Sequence, residues 1–234
     1  MEFKKDQRYI EFRKKVMDPV SPSFCGAKWF DSTIWLNSGK TASCHHVAPH
    51  FMEAVAIAEN PMAIHNTRPK AKARGEMLRG EKPPECSYCW KMEALNEEHT
   101  SDRVTRTIAY KEEDLDFASR VDNVERPYMR TLEVAFDRTC NFACMYCCPS
   151  YSTTWLKDIK VAGVYENLPT DKLAHFTSEH TEAMRDELED NIYTKAFWRA
   201  WPELKKTLVQ LRVTGGEPLH SPHFWKLVES LREE

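Results

Sequence analysis

RTLEVAFDRTCNFACMYCCPS, residues 130–150, decides how this chain is built. Its first eight residues, 130–137, are rich in apolar and β-branched side chains and predict a strand. The strand runs straight into Cys140, Cys144 and Cys147, spaced C-x3-C-x2-C. Three thiolates on one short loop suit three corners of a [4Fe–4S] cube and leave the fourth iron without a protein ligand. An open coordination position distinguishes reactive metal centres from closed structural ones, as it does for zinc. The competing assignment is a zinc knuckle with Cys148 as fourth ligand. Adjacent Cys147 and Cys148 side chains point in different directions, which makes Cys148 a packed thiol instead.

Moving outward, residues 208–213 (LVQLRV) predict a second strand, ending in Thr214-Gly215-Gly216-Glu217-Pro218. Paired glycines let the backbone approach a ligand without Cβ clashes. Glu217 can accept charge-assisted hydrogen bonds from an ammonium group. Residues 170–207 are expected to be helical with a break at Pro202, and Phe197, Trp198 and Trp201 are expected to pack in the core. Residues 222–233 predict a helix with Phe224, Trp225, Leu227, Val228 and Leu231 on its apolar face. The order strand, cysteine loop, helices, strand, glycine turn, helix is the βαβα pattern of a parallel sheet. Both motifs follow strand C-termini, where loops of α/β barrels build active sites.

Together the C-x3-C-x2-C loop, with Tyr146 directly before its third cysteine, and the GGEP turn resemble the radical S-adenosylmethionine (SAM) superfamily. The resemblance implies that Cys140, Cys144 and Cys147 hold a [4Fe–4S] cluster whose open iron SAM chelates. It implies that Tyr146, Gly215, Gly216, Glu217 and Pro218 contribute to SAM binding. It also implies reductive cleavage of SAM to a 5′-deoxyadenosyl radical that abstracts hydrogen, with a flavodoxin or ferredoxin as reductant. No further catalytic residue is assigned. The implied fold is α/β, the N-terminal part of a partial (βα)6 barrel. The chain reaches only the second strand and its helix, so it is expected to be the front portion of a longer protein.

The N-terminal half adds a second cysteine set. Residues 24–47 predict a β-hairpin turning near Asn37–Lys40, with Cys25 before it and Cys44 at its end. Residues 49–59 and 69–79 predict helices, the second closed by Gly80. Cys86 and Cys89 form a C-x2-C pair ahead of a short helix. These four thiols make a plausible tetrahedral set. With His65-Asn66-Thr67, Cys86 to Trp90 and Ser101-Asp102-Arg103, the region resembles the twitch or SPASM auxiliary modules of some radical SAM proteins, placed here ahead of the SAM motif. The resemblance implies a small α+β cysteine-rich module over 24–100 holding a second [4Fe–4S] cluster, with zinc as the rival occupant, and a peptide or protein substrate. His45 and His46 stand beside Cys44 as alternative donors. The expected organisation is a charged leader over 1–23, the module over 24–100, a linker over 101–129 and the incomplete core over 130–234.

Composition sets bounds on this scheme. In 234 residues there are 33 basic and 36 acidic side chains, a net charge of −3, so neither nucleic acid nor an anionic membrane is an expected partner. No apolar run approaches the ~20 residues of a membrane helix. The N-terminus MEFKKDQRYIEFRKK has no apolar signal core, which points to the cytoplasm. There, clustered cysteines are metal ligands or reactive thiols rather than disulfides. The basic run Arg68–Arg74 is expected to be a solvated helix face. Two classes of function follow: a radical SAM enzyme, or a non-catalytic protein that binds zinc or iron–sulfur clusters.

Overall fold

Apolar alternation makes TLEVA a strand, and that strand lies inside the sheet between two parallel neighbours. The computed structural model describes residues 7–96, 99–163 and 191–232. Its strands are β1 (Asp31–Trp35), β2 (Lys40–Ala42), β3 (His50–Phe51), β4 (Thr131–Ala135) and β5 (Gln210–Thr214), in the order β3-β2-β1-β4-β5. β1, β4 and β5 are parallel, with Ile34, Val134 and Val213 in one row. β2 and β3 extend the sheet antiparallel, with Thr33 opposite Ala42 and Thr41 opposite His50. The protein is thus mixed α/β with one open five-stranded mixed sheet among the described residues.

The described α-helices are α1 (Gln7–Phe12), α2 (Gly26–Phe30), α3 (Ala54–Glu59), α4 (Arg68–Leu78), α5 (Ser87–Glu93), α6 (Asp102–Thr107), α7 (Glu112–Ser119), α8 (Thr153–Ala162), α9 (Ile192–Thr207) and α10 (Pro222–Arg232). Two cores hold them. In the first, Ile34, Leu132 and Val134 on one sheet face pack against Phe197, Trp201 and Leu204 of α9 and Leu227 of α10. In the second, Phe24, Trp29 and Phe30 around α2 pack with Met17, Met77, Val104 and Leu115, and Cys25 and Cys86 belong to it. The other sheet face, with Thr33, Trp35, Thr131, Glu133 and Arg212, stays partly open.

Several sequence expectations need correction. The boundary drawn between 24–100 and 130–234 does not divide the sheet, because β1 pairs with β4 along its whole length. Residues 101–129 are not a plain linker: α6 and α7 bury Arg103, Val104, Thr107, Asp114 and Leu115. Lacking a clear apolar period, these helices are held by buried ion pairs, Arg103 with Glu93 at 2.7 Å and Arg130 with Asp114 at 2.6 Å. The helix expected from residue 49 begins at Ala54, since His50 and Phe51 join β2. α9 continues through Pro202; the proline faces solvent while Ala200, Trp201 and Leu204 bury the opposite face, which offsets the lost hydrogen bond. The part of the expected 170–207 helix that precedes residue 191 lies outside the described residues. The basic run is not wholly solvated: Lys70 and Arg74 lie on the inward face of α4, 1 % and 0 % exposed.

Candidate metal centres

The first cysteine set lines one cavity. Cys25 is the residue preceding α2, Cys44 follows β2, and Cys86 and Cys89 flank and enter the first turn of α5. The neighbouring backbone is pinned. Gly26 N–H donates to Thr107 Oγ1 at 2.9 Å, and Arg103 donates to the Phe24 carbonyl at 2.7 Å. Ser101 Oγ donates to Glu93 at 2.5 Å, and Ser101 and the Arg103 backbone favour the ionised Cys89 against the larger effect of burial. Asp102 accepts from His46, whose ring stacks on Tyr88 between the C-x2-C cysteines. The Ser101-Asp102-Arg103 segment therefore wraps the cavity. His65-Asn66-Thr67 instead braces the scaffold: His65 meets the Trp29 carbonyl at 2.9 Å, and Asn66 donates to the Pro127 carbonyl.

Burial, then the neighbouring Cys86 and Cys44, push the Cys25 thiol up to about 12. Burial likewise raises Cys86 to about 11, with Lys28 opposing it, and raises Cys89. Cys25, Cys86 and Cys89 thus resist ionisation unless a cation joins them. Such a donor set fits a bound metal or cluster, and all eight cysteines are free thiols.

The second set lies on the loop leaving β4. Cys140, Cys144 and Cys147 are partly exposed, whereas Cys148 is 6 % exposed and turned inward. The loop is held by its own backbone and by the start of α8. Cys147 N–H donates to the Cys144 carbonyl at 2.9 Å, and Cys140 N–H to Thr153 Oγ1 at 3.0 Å. Trp155 Nε1 donates to the Cys144 carbonyl at 3.0 Å, and Ser152 to the Phe142 carbonyl at 2.9 Å. Phe142 N–H points at Cys140 Sγ, 3.4 Å away. Tyr146 is 94 % exposed at the loop tip, and Cys144, before the other two thiols, raises its pKa.

The glycine turn packs directly on this loop. Gly215 takes φ +122°, and a Cβ there would stand 2.5 Å from the Asp137 carbonyl oxygen. At Gly216 a Cβ would meet the Thr139 and Arg138 carbonyl oxygens at 2.3 and 2.6 Å. Glu217 N–H donates to the Thr139 carbonyl at 2.8 Å, so the turn braces the residues just before Cys140. The Glu217 carboxylate accepts from Leu219 N–H at 3.1 Å. Pro218 opens the following 3-10 turn.

Asp137 escaped the sequence analysis. Its carboxylate accepts from Thr139 N–H at 2.9 Å and Ser221 Oγ at 2.6 Å, and its carbonyl from Gly216 N–H. One buried side chain thus ties β4, the cysteine loop and the segment after β5. An aspartate two residues beyond a strand and two before a loop N–H is the available signal.

Among the described residues, the His, Cys, Asp or Glu trio whose ligand atoms lie within 4.8 Å of one another is His45, His46 and Asp102. Arg106 donates to His45 Nδ1 at 2.8 Å and stands 3.9 Å from Asp102, so the trio is already engaged with a protein cation. Neither cysteine set brings three sulfurs that close, while tetrahedral zinc at Zn–S ≈ 2.3 Å sets its sulfurs about 3.8 Å apart.

Comparisons with protein families, with curated proteins and with solved structures returned no match.

Proposed function

We propose that this chain is a radical SAM iron–sulfur protein, with Cys140, Cys144 and Cys147 holding a [4Fe–4S] cluster that SAM completes. The observation that carries this is the pairing of three partly exposed thiols, their neighbour Cys148 buried, with a Gly215–Gly216 turn packed on the backbone just before them. Three thiols without a fourth leave room for a ligand from solution, as an open site requires. When bound, the reduced cluster and SAM supply a 5′-deoxyadenosyl radical for hydrogen abstraction.

The chain's own residues have separate tasks in this proposal. Gly215 and Gly216 let the turn pack on the backbone just before Cys140, and the free lone pairs of Glu217 accept from the ammonium group of SAM. Asp137 keeps turn and loop in register. Cys25, Cys44, Cys86 and Cys89 hold a second [4Fe–4S] cluster, closed on all four sides. Zinc is the rival occupant of that site. The substrate class, a peptide or protein, and a flavodoxin or ferredoxin reductant rest on the family resemblance alone.

Anaerobic reconstitution with iron and sulfide tests the proposal. The expected result is about four irons per site and 5′-deoxyadenosine formed from SAM after reduction. Stoichiometric zinc with no iron uptake would assign the chain to the non-catalytic metal-binding class.

A further inference from the structure

Lys28 is 2 % exposed and lines the cavity of Cys25, Cys44, Cys86 and Cys89. Its backbone N–H donates to the Cys25 carbonyl at 3.0 Å, and its ammonium pairs with Glu85, the residue before Cys86. It therefore joins the two segments that carry these cysteines. Two other cations line the cavity, and each is committed elsewhere. Arg103 grips Glu93 with two bonds of 2.7 and 2.8 Å, and Arg106 meets the buried Asp31 at 2.8 Å. Lys28 differs: its carboxylate partner is about one-third exposed, at 31 %, so water screens the carboxylate more than it screens the ammonium. Burial works against the Lys28 charge, yet the Cys86 thiol, then Glu85 and then Cys25, hold its pKa above the usual lysine value.

We propose that Lys28 is the buried counter-charge that sets the reduction potential of the four-cysteine site. The inference rests on the proposal that these thiols hold an iron–sulfur cluster. A cluster bound by four thiolates carries net negative charge, which deepens by one when it takes an electron from the reductant. A nearby buried ammonium stabilises the reduced form and raises the potential, since net charge and burial are levers on such potentials. Glu85 acts with the opposite sign and, being partly solvated, acts more weakly.

The test uses the 234-residue Cys140→Ala/Cys144→Ala/Cys147→Ala chain, which isolates the four-cysteine site. It is reconstituted anaerobically, assayed for iron and titrated with dithionite at known potentials. Lys28→Met is expected to retain iron and lower the reduced-to-oxidised ratio at fixed potential at least about tenfold, 59 mV for one electron. Lys28→Arg should stay near the parent, and Glu85→Gln should shift the ratio the other way. Unmoved potentials in Lys28→Met and Glu85→Gln, with iron retained, overturn the role of Lys28 and leave the cluster assignment standing. Absence of iron from the parent overturns both. If Lys28→Met does not fold, Glu85→Gln decides: a rise supports the proposal, and no change overturns it.

Discussion

Cys25, Cys44, Cys86 and Cys89 line a cavity within one hydrophobic core, ringed by the ion-paired Lys28, Arg103 and Arg106. Cys140, Cys144 and Cys147 lie outside either core, on a loop whose Tyr146 stands almost fully in solvent. The segments that carry them meet opposite ends of one parallel pair: Cys25 leads into β1, and Cys140 follows β4. Two sets of cysteines thus differ in access, one largely buried and one partly exposed. A four-thiol cavity closed by protein suits storage or relay of charge. A three-thiol loop open to solvent suits binding a reactant at the metal.

The largest expected effect comes from removing one open-site ligand. Cys144→Ala should lose about four irons per chain and abolish 5′-deoxyadenosine formation, while the iron at the other four cysteines remains. Loss of iron from both sites together would erase the distinction drawn here. A chelator sharpens the comparison in the unmodified chain: iron at the exposed loop should leave at least about tenfold faster than iron in the cavity, as access controls metal exchange.

Gly216→Ala comes next. Its Cβ would press on the Thr139 and Arg138 carbonyl oxygens, both backbone atoms that cannot rotate away. Overpacking of this kind costs about 1–3 kcal/mol, so the melting temperature should fall by several degrees. SAM binding should weaken while iron in the buried cavity is retained. A variant with unchanged melting and SAM affinity would show that the turn does not brace the loop.

The smallest effect concerns the scaffold between the sites. Burial, then Lys70, lower the His50 pKa to about 4, with Lys28 adding to the shift and Glu85 opposing it. Unfolded histidine titrates near 6.5. Between those values the unfolded chain binds the extra proton, so stability falls as pH drops from about 6.5 to about 4. In the metal-free protein, His50→Gln should flatten part of that slope in melting temperature. Equal slopes in both proteins would remove His50 as the cause.

Local structure was legible in the sequence, and long-range placement was not. The β4 strand, the C-x3-C-x2-C loop and the glycine turn each follow from periodicity or spacing within ten residues, and β4 and β5 lie side by side as parallel neighbours. The hairpin forms in shorter bounds, with β1 and β2 antiparallel around residues 36–39, while residues 26–30, expected within it, are the helix α2. What spacing does not encode is the partner across the fold. The β1–β4 pairing joins residues a hundred positions apart, and no period marks it. The charges of the 68–74 run point to a solvated face, whereas the i, i+4 spacing of Lys70 and Arg74 puts both on one inward face of α4. Asp137 and Lys28 are single residues whose roles exist only once the loops have met.

The central claim, an open-cornered cluster on the exposed loop beside a closed one in the core, is tested most directly by electron paramagnetic resonance of the reduced, iron-loaded protein with and without SAM. Two cluster signals are expected. SAM should change one of them and leave the other unmoved, and the SAM-sensitive signal should be missing from Cys144→Ala. A spectrum with no signal assignable to Cys140, Cys144 and Cys147, or one that SAM leaves wholly unchanged, would contradict it.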